Sequence, residues 1–157
     1  MNKFHILNIL LILFSSNVFA VKYEKATFAG GCFWCMEPPF EKLVGVKAVI
    51  SGYAGGKIVQ PKYEDVARGK TKHREAVQVT YNPELVSYER LLEVFWQNIN
   101  PIDQKGQFVD RGFQYSPAVF FHDKKQQQLA VESIKKRERL KKVSRKIDTP
   151  VIGFTNF

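Results

Sequence analysis

The sequence predicts an α/β protein, a two-layer sandwich with helices packed on a mixed sheet. Apolar runs of strand length alternate with segments of helical period, in the order β-α-β-β-α-β-α-β. No internal repeat or low-complexity linker interrupts that order. The chain length agrees: residues 21–157 make one domain, large enough to bury a proper core.

Residues 1–20 read as a secretory signal peptide and not as part of the fold. Lys3 supplies a basic n-region, Ile6 to Phe14 is apolar except for Asn8, and Val18 and Ala20 are small residues at the −3 and −1 positions of a cleavage site. The apolar run is short for a membrane span and is followed by polar Ser15-Ser16-Asn17. Export is therefore expected, to a bacterial periplasm, where two cysteines can pair.

The first strand is Ala26-Thr27-Phe28-Ala29, closed by Gly30-Gly31. A helix begins at Cys32, and Pro38-Pro39 is expected to kink or shorten it. Residues 45–53 form a second strand that ends in Ala54-Gly55-Gly56, and 61–67 form one helical turn stopped by Gly69. Residues 73–81 alternate as a strand. Residues 87–99 are an amphipathic helix capped by Ser87, with Tyr88, Leu91, Leu92, Phe95 and Ile99 on one face. A long loop with Gly106 and Gly112 fills 100–116, a length that points to function. A short strand at 117–121 leads to a helix over 124–146, capped by Asp123, and 147–154 is extended. The βαββαβ portion predicts a ferredoxin-like core.

The net charge is +9, one unit less without Lys3. Most of it is local: Lys124 to Lys146 holds ten Lys or Arg against Glu132 and Glu138. No aromatic residues interleave with these charges, as a base-stacking surface would need, so the stretch reads as a solvated helix face and no nucleic-acid partner is expected.

The chemistry concentrates in Gly30-Gly31-Cys32-Phe33-Trp34-Cys35-Met36-Glu37, which holds both cysteines. A thiol at a helix start faces unpaired backbone N–H groups and the positive end of the helix dipole, so a reactive thiolate is expected at Cys32. Phe33 and Trp34 put apolar surface beside it. The same Cys-x-x-Cys can also be a structural disulfide, half of a metal site or two buried small residues. Zinc is the weakest of these, because there is no second Cys pair and His73 and His122 lack a ligand spacing.

In the strand 73–81, Glu75 shares a face with Val77, Val79 and Tyr81, while Arg74, Ala76, Gln78 and Thr80 share the other. The apolar face should look inward, which buries Glu75 and raises its pKa. Such a carboxyl can act as a general acid. The alternative is a strand-end Glu paired with a lysine. Tyr53, Tyr63 and Tyr115 are placed in loops.

These residues resemble the type A peptide methionine sulfoxide reductases. The resemblance runs through Gly31-Cys32-Phe33-Trp34 with Glu37, Gly52-Tyr53-Ala54-Gly55-Gly56, Tyr63-Glu64-Asp65-Val66 and His73-Arg74-Glu75-Ala76-Val77. It continues through Phe95-Trp96 and Asn100-Pro101 to Asp110-Arg111-Gly112-Phe113-Gln114-Tyr115. It implies an α/β two-layer fold and reduction of the S epimer of methionine sulfoxide, free or in oxidised proteins, without metal or organic cofactor. Cys32 would attack the sulfoxide sulfur and Glu75 would protonate its oxygen. Tyr63 and Tyr115 would hydrogen-bond that oxygen, Phe33 and Trp34 would hold the S-methyl group, and Asp110 would help to hold the substrate. The sulfenic acid left on Cys32 would be reduced by a thioredoxin-like or other thiol donor, with Cys35 as the resolving thiol available in this chain, and a monomer is expected. Relatives continue past the region resembling 149–157 with an aromatic and acidic tail, so a truncated tail and reduced activity or stability are expected.

Overall fold

The computed structural model describes residues 21–140 and 145–157. The predicted signal peptide, 1–20, lies outside the described residues, as does 141–144 of the predicted basic helix.

Five strands form one mixed sheet: β1 (Glu24–Ala29), β2 (Val46–Ala54), β3 (Arg74–Tyr81), β6 (Ala118–Phe121) and β7 (Val151–Gly153), in the spatial order β2-β3-β1-β6-β7. The first four are antiparallel to their neighbours, and β7 adds parallel to β6. The predicted ferredoxin-like core is thus present: β1, α1 (Phe33–Glu41), β2, β3, α3 (Tyr88–Gln97) and β6 complete it, with the single turn α2 (Tyr63–Ala67) inserted before β3. A long helix, α4 (Lys124–Arg139), crosses from β6 to β7. The predicted loop 100–116 contains a small hairpin, β4 (Gly106–Gln107) and β5 (Asp110–Arg111), and a 3-10 turn, η1 (Phe113–Tyr115).

The main core lies between the sheet and its helices. Phe28 is at its centre, stacked on Phe40 of α1 at 5.2 Å and on Phe95 of α3 at 5.1 Å between ring centroids. Val77, Val79 and Val119 face the same way, with Met36, Leu91, Leu92 and Ala130 above them. The opposite face was expected to be the polar one. It is buried as well: Arg74, Ala76 and Gln78 are all under 8% exposed. Ala29, Ala54, Ala76, Ala118 and Phe120 form a second cluster there, closed by Ile152 and Phe154 from the C-terminal segment. β3 is a central strand covered on both sides by parts of the chain remote in sequence.

Both prolines of α1 lie inside the helix without ending it before Glu41. α1 spans only nine residues, and Pro38 and Pro39 supply no N–H to the carbonyls of Trp34 and Cys35. α4 stops at Arg139, before the predicted end at Lys146. Leu140 is its C-cap and is 56% exposed. Both predicted caps form: Ser87 Oγ accepts the Arg90 N–H at 3.2 Å, and Asp123 accepts the Gln126 N–H at 2.8 Å. Ser87→Ala is expected to cost about 1 kcal/mol of stability, read as a lower urea midpoint at unchanged slope.

Candidate active site

The site is built where β1 hands over to α1. Gly31 has φ +101°, and a Cβ there would lie 2.9 Å from Gln107 Cβ, so only glycine lets the β4–β5 hairpin sit against this turn. Cys32 follows as the N-cap of α1, and its carbonyl accepts the Cys35 N–H at 3.0 Å. Its thiol is half-buried and meets the backbone N–H groups of Trp34 and Cys35. Those donors favour the thiolate as expected, but they do not prevail in the resting protein. Burial pushes the thiol up, and the charge of Glu75 adds to it, so the net shift is upward. The expectation of a resting thiolate is therefore corrected: β3 brings a carboxylate beside the sulfur, which the helix-dipole argument alone does not include.

Glu75 stands on the helix side of β3, 2% exposed, and accepts the Phe33 N–H at 3.2 Å. The bond ties the carboxyl to the residue next to Cys32. Burial raises the Glu75 pKa, the Phe33 N–H opposes this, and the nearby Asp110 charge adds to the rise. Across the β2–β3 pair, Tyr53 is directly opposite Glu75.

Tyr115 is raised by burial, and then by the charges of Glu75, Tyr63, Asp110 and Cys32. The phenol therefore lies within electrostatic reach of all four. Tyr53 is likewise raised by burial, with Glu75 and Tyr63 adding to it. None of the three tyrosines is in irregular loop, as the sequence had suggested: Tyr53 is in β2, Tyr63 opens α2 and Tyr115 ends η1.

The apolar wall is more open than expected. Phe33 is half-buried between Trp34, at 6.4 Å, and Tyr53, at 6.0 Å, but Trp34 itself is 75% exposed. Cys32, Glu75, Tyr63 and Asp110 all lie within electrostatic reach of Tyr115, and Phe33 is tied to Glu75 through its N–H. Cys35 is exposed one turn along α1, and both thiols are free. Glu37 points elsewhere, accepting the Ser51 hydroxyl at 2.5 Å to fasten α1 to β2. Tyr53 is the wall residue that sequence reasoning left out, since only strand register sets it opposite Glu75. Among the described residues, no group of three or more His, Cys, Asp or Glu is placed to hold a metal ion.

A family model described as peptide methionine sulfoxide reductase matches residues 24–157. The chain belongs to the peptide methionine sulfoxide reductase family. One relative is the peptide methionine sulfoxide reductase MsrA of Bacillus licheniformis, 55% identical over 117 residues, which are 74% of this chain and 65% of that protein. The chain likewise spans 62% of the MsrA of Listeria innocua, at 53% identity. Among solved structures, the reduced form of Mxr1 from Saccharomyces cerevisiae matches with a TM-score of 0.79 at 28% identity, covering 87% of this chain and 78% of that one. Mxr1 is also solved in complex with Trx2, where the match has a TM-score of 0.60 at 21% identity over 90% of this chain and 85% of that one.

Proposed function

We propose that this chain reduces peptide methionine S-sulfoxide to methionine, with Cys32 as nucleophile and Glu75 as proton donor. One observation carries the reading: a buried carboxyl accepts the backbone N–H of Phe33, the residue next to Cys32, and its charge reaches the Cys32 thiol. The Cys32 thiolate attacks the sulfoxide sulfur while the Glu75 carboxyl gives its proton to the sulfoxide oxygen. Tyr63 and Tyr115 donate hydrogen bonds to that oxygen as charge develops on it. The sulfur–sulfur bond formed in the attack and the sulfur–oxygen bond then both break as the hydroxyl bonds to the Cys32 sulfur, leaving methionine and a Cys32 sulfenic acid. Two electrons pass from the cysteine sulfur to the substrate sulfur.

Phe33, Trp34 and Tyr53 supply the apolar wall for the S-methyl group, and Asp110, within electrostatic reach of Tyr115 and Glu75, holds the substrate backbone. The exposed Cys35 thiol then displaces the hydroxyl of the sulfenic acid as water, forming a Cys32–Cys35 disulfide. A thioredoxin-like thiol donor reduces it; the existence of the Mxr1–Trx2 complex supports that choice of partner. The leader features of residues 1–20 support export, which would direct the repair to oxidised exported proteins.

The test is methionine release from a peptide carrying S-sulfoxide, with dithiothreitol as reductant and the R epimer as control. Release from the S epimer alone is expected; no release from either epimer rejects the reading. Mass measurement after one turnover without reductant should show the loss of two hydrogens in the parent protein and a gain of one oxygen in Cys35→Ser. A parent protein that keeps the added oxygen would remove Cys35 from the scheme.

A further inference from the structure

The turns that carry Tyr63 and Tyr115 are fastened to the strand that carries Glu75 by side chains with no part in the reaction just described. Arg74 precedes Glu75 on β3 and so projects from the opposite face of the sheet. It is 7% exposed, and among the described residues it forms no ion pair. Its Nε donates to Ser116 Oγ at 2.9 Å, and the Ser116 hydroxyl donates to the Phe113 carbonyl at 2.6 Å. The guanidinium also lies 4.2 Å from the centre of the Phe113 ring. These contacts grip η1 at its first residue and at its C-cap, with Tyr115 between them.

Gln114 completes the connection. It is 6% exposed, and its Nε2 donates to the carbonyl of Ala67, the last residue of the turn that Tyr63 opens. Gly112 lies against the same amide: a Cβ there would stand 2.5 Å from Gln114 Oε1, and its φ is +127°. Glutamine is thus the piece that locks η1 to α2, and arginine the piece that locks η1 to β3.

The residue types are informative. A cation held out of water without a carboxylate is disfavoured, and simple packing would be better served by an aliphatic side chain. Only the planar guanidinium offers a directed N–H to Ser116 and a flat face to Phe113 together. The reaction needs that geometry, because hydrogen bonds to a developing oxyanion depend on donors already in place.

We propose that Arg74, through Ser116, and Gln114 are positioning residues that hold the Tyr63 and Tyr115 hydroxyls at a fixed place relative to Glu75. The inference rests on the reading of those hydroxyls as donors to the sulfoxide oxygen. Its test is a mutant cycle on the full chain. Gln114→Met should lower kcat for sulfoxide-peptide reduction about 10-fold with KM changed by less than about 3-fold, since misplacement of a catalytic group acts on the chemical step. Ser116→Ala, which removes one hydroxyl and leaves the volume almost intact, should act in the same direction. In a Tyr63→Phe/Tyr115→Phe background, where there are no hydroxyls to place, each should cost less than about 2-fold. Losses that multiply in that background would overturn the proposal and leave the site reading intact. If removing both hydroxyls does not slow the parent protein, the site reading and the proposal fall together.

Discussion

Cys32→Ser should leave no measurable methionine from a sulfoxide peptide, a loss on the order of 10⁴-fold or more, as expected when a covalent nucleophile is removed. The loss does not depend on the thiol's pKa alone. The step oxidises the attacking atom by two electrons, and sulfur accepts a hydroxyl to become a sulfenic acid. A serine oxygen in its place would have to end as a peroxide, which is out of reach of a methionine sulfoxide oxidant. The fold should hardly notice: Cys32 is half-buried, so the melting temperature should stay within a few degrees of the parent's. A variant that unfolds with its loss of activity would leave the role undecided, so circular dichroism and a thermal scan belong in the same experiment. Residual turnover in folded Cys32→Ser that is abolished by Cys35→Ser would move the nucleophile to Cys35.

What could be read from one sequence, and what could not, divides by how far the determining contacts lie along the chain. The caps at Ser87 and Asp123 are set by a side chain and a backbone N–H three residues on, and both form. The inward facing of Glu75 follows from the two-residue period of β3 and holds. The burial of Ala76 and Arg74 could not be read, because Ile152 and Phe154 close over the first and Phe113 and Ser116 meet the second, all far along the chain. Tyr53 is opposite Glu75 through the register of β2 on β3, which no local pattern prints. The β4–β5 hairpin is two residues per strand, too short to show a period, though Gly106 and Gly112 mark its neighbourhood. The Cys32 thiol combines both cases. Its backbone donors are local and were foreseen; burial and the Glu75 charge reverse the direction of the shift.

That opposition makes Glu75→Gln the most discriminating change in the protein. It should lower turnover by about 10²- to 10⁴-fold, the range for loss of a positioned general acid. It should also change the shape of the pH profile. Cys32 and Glu75 share one site, and productive attack needs a single proton between them, on the carboxyl with the sulfur anionic. The parent's kcat/KM is therefore expected to be bell-shaped, rising as the first proton leaves the pair and falling as the second does. The glutamine variant cannot lose a second proton, so its alkaline fall should vanish and its residual rate should level off above the thiol's pKa. Removing the carboxylate also removes one cause of the raised thiol pKa, so iodoacetamide should alkylate Cys32 at lower pH in the variant. Stability should move the other way from activity. A carboxyl whose folded pKa is raised binds its proton more tightly in the native state, so the parent's stability falls as pH rises from the unfolded carboxyl's pKa through the folded one. Glutamine carries no such dependence. The variant should gain stability on the parent across that window, with the gain absent in acid, where both states of the parent are protonated. Urea melts at acidic and neutral pH measure this. A loss of stability that is larger at neutral pH than in acid would show that Glu75 is held ionised, and the general-acid role would have to be given up.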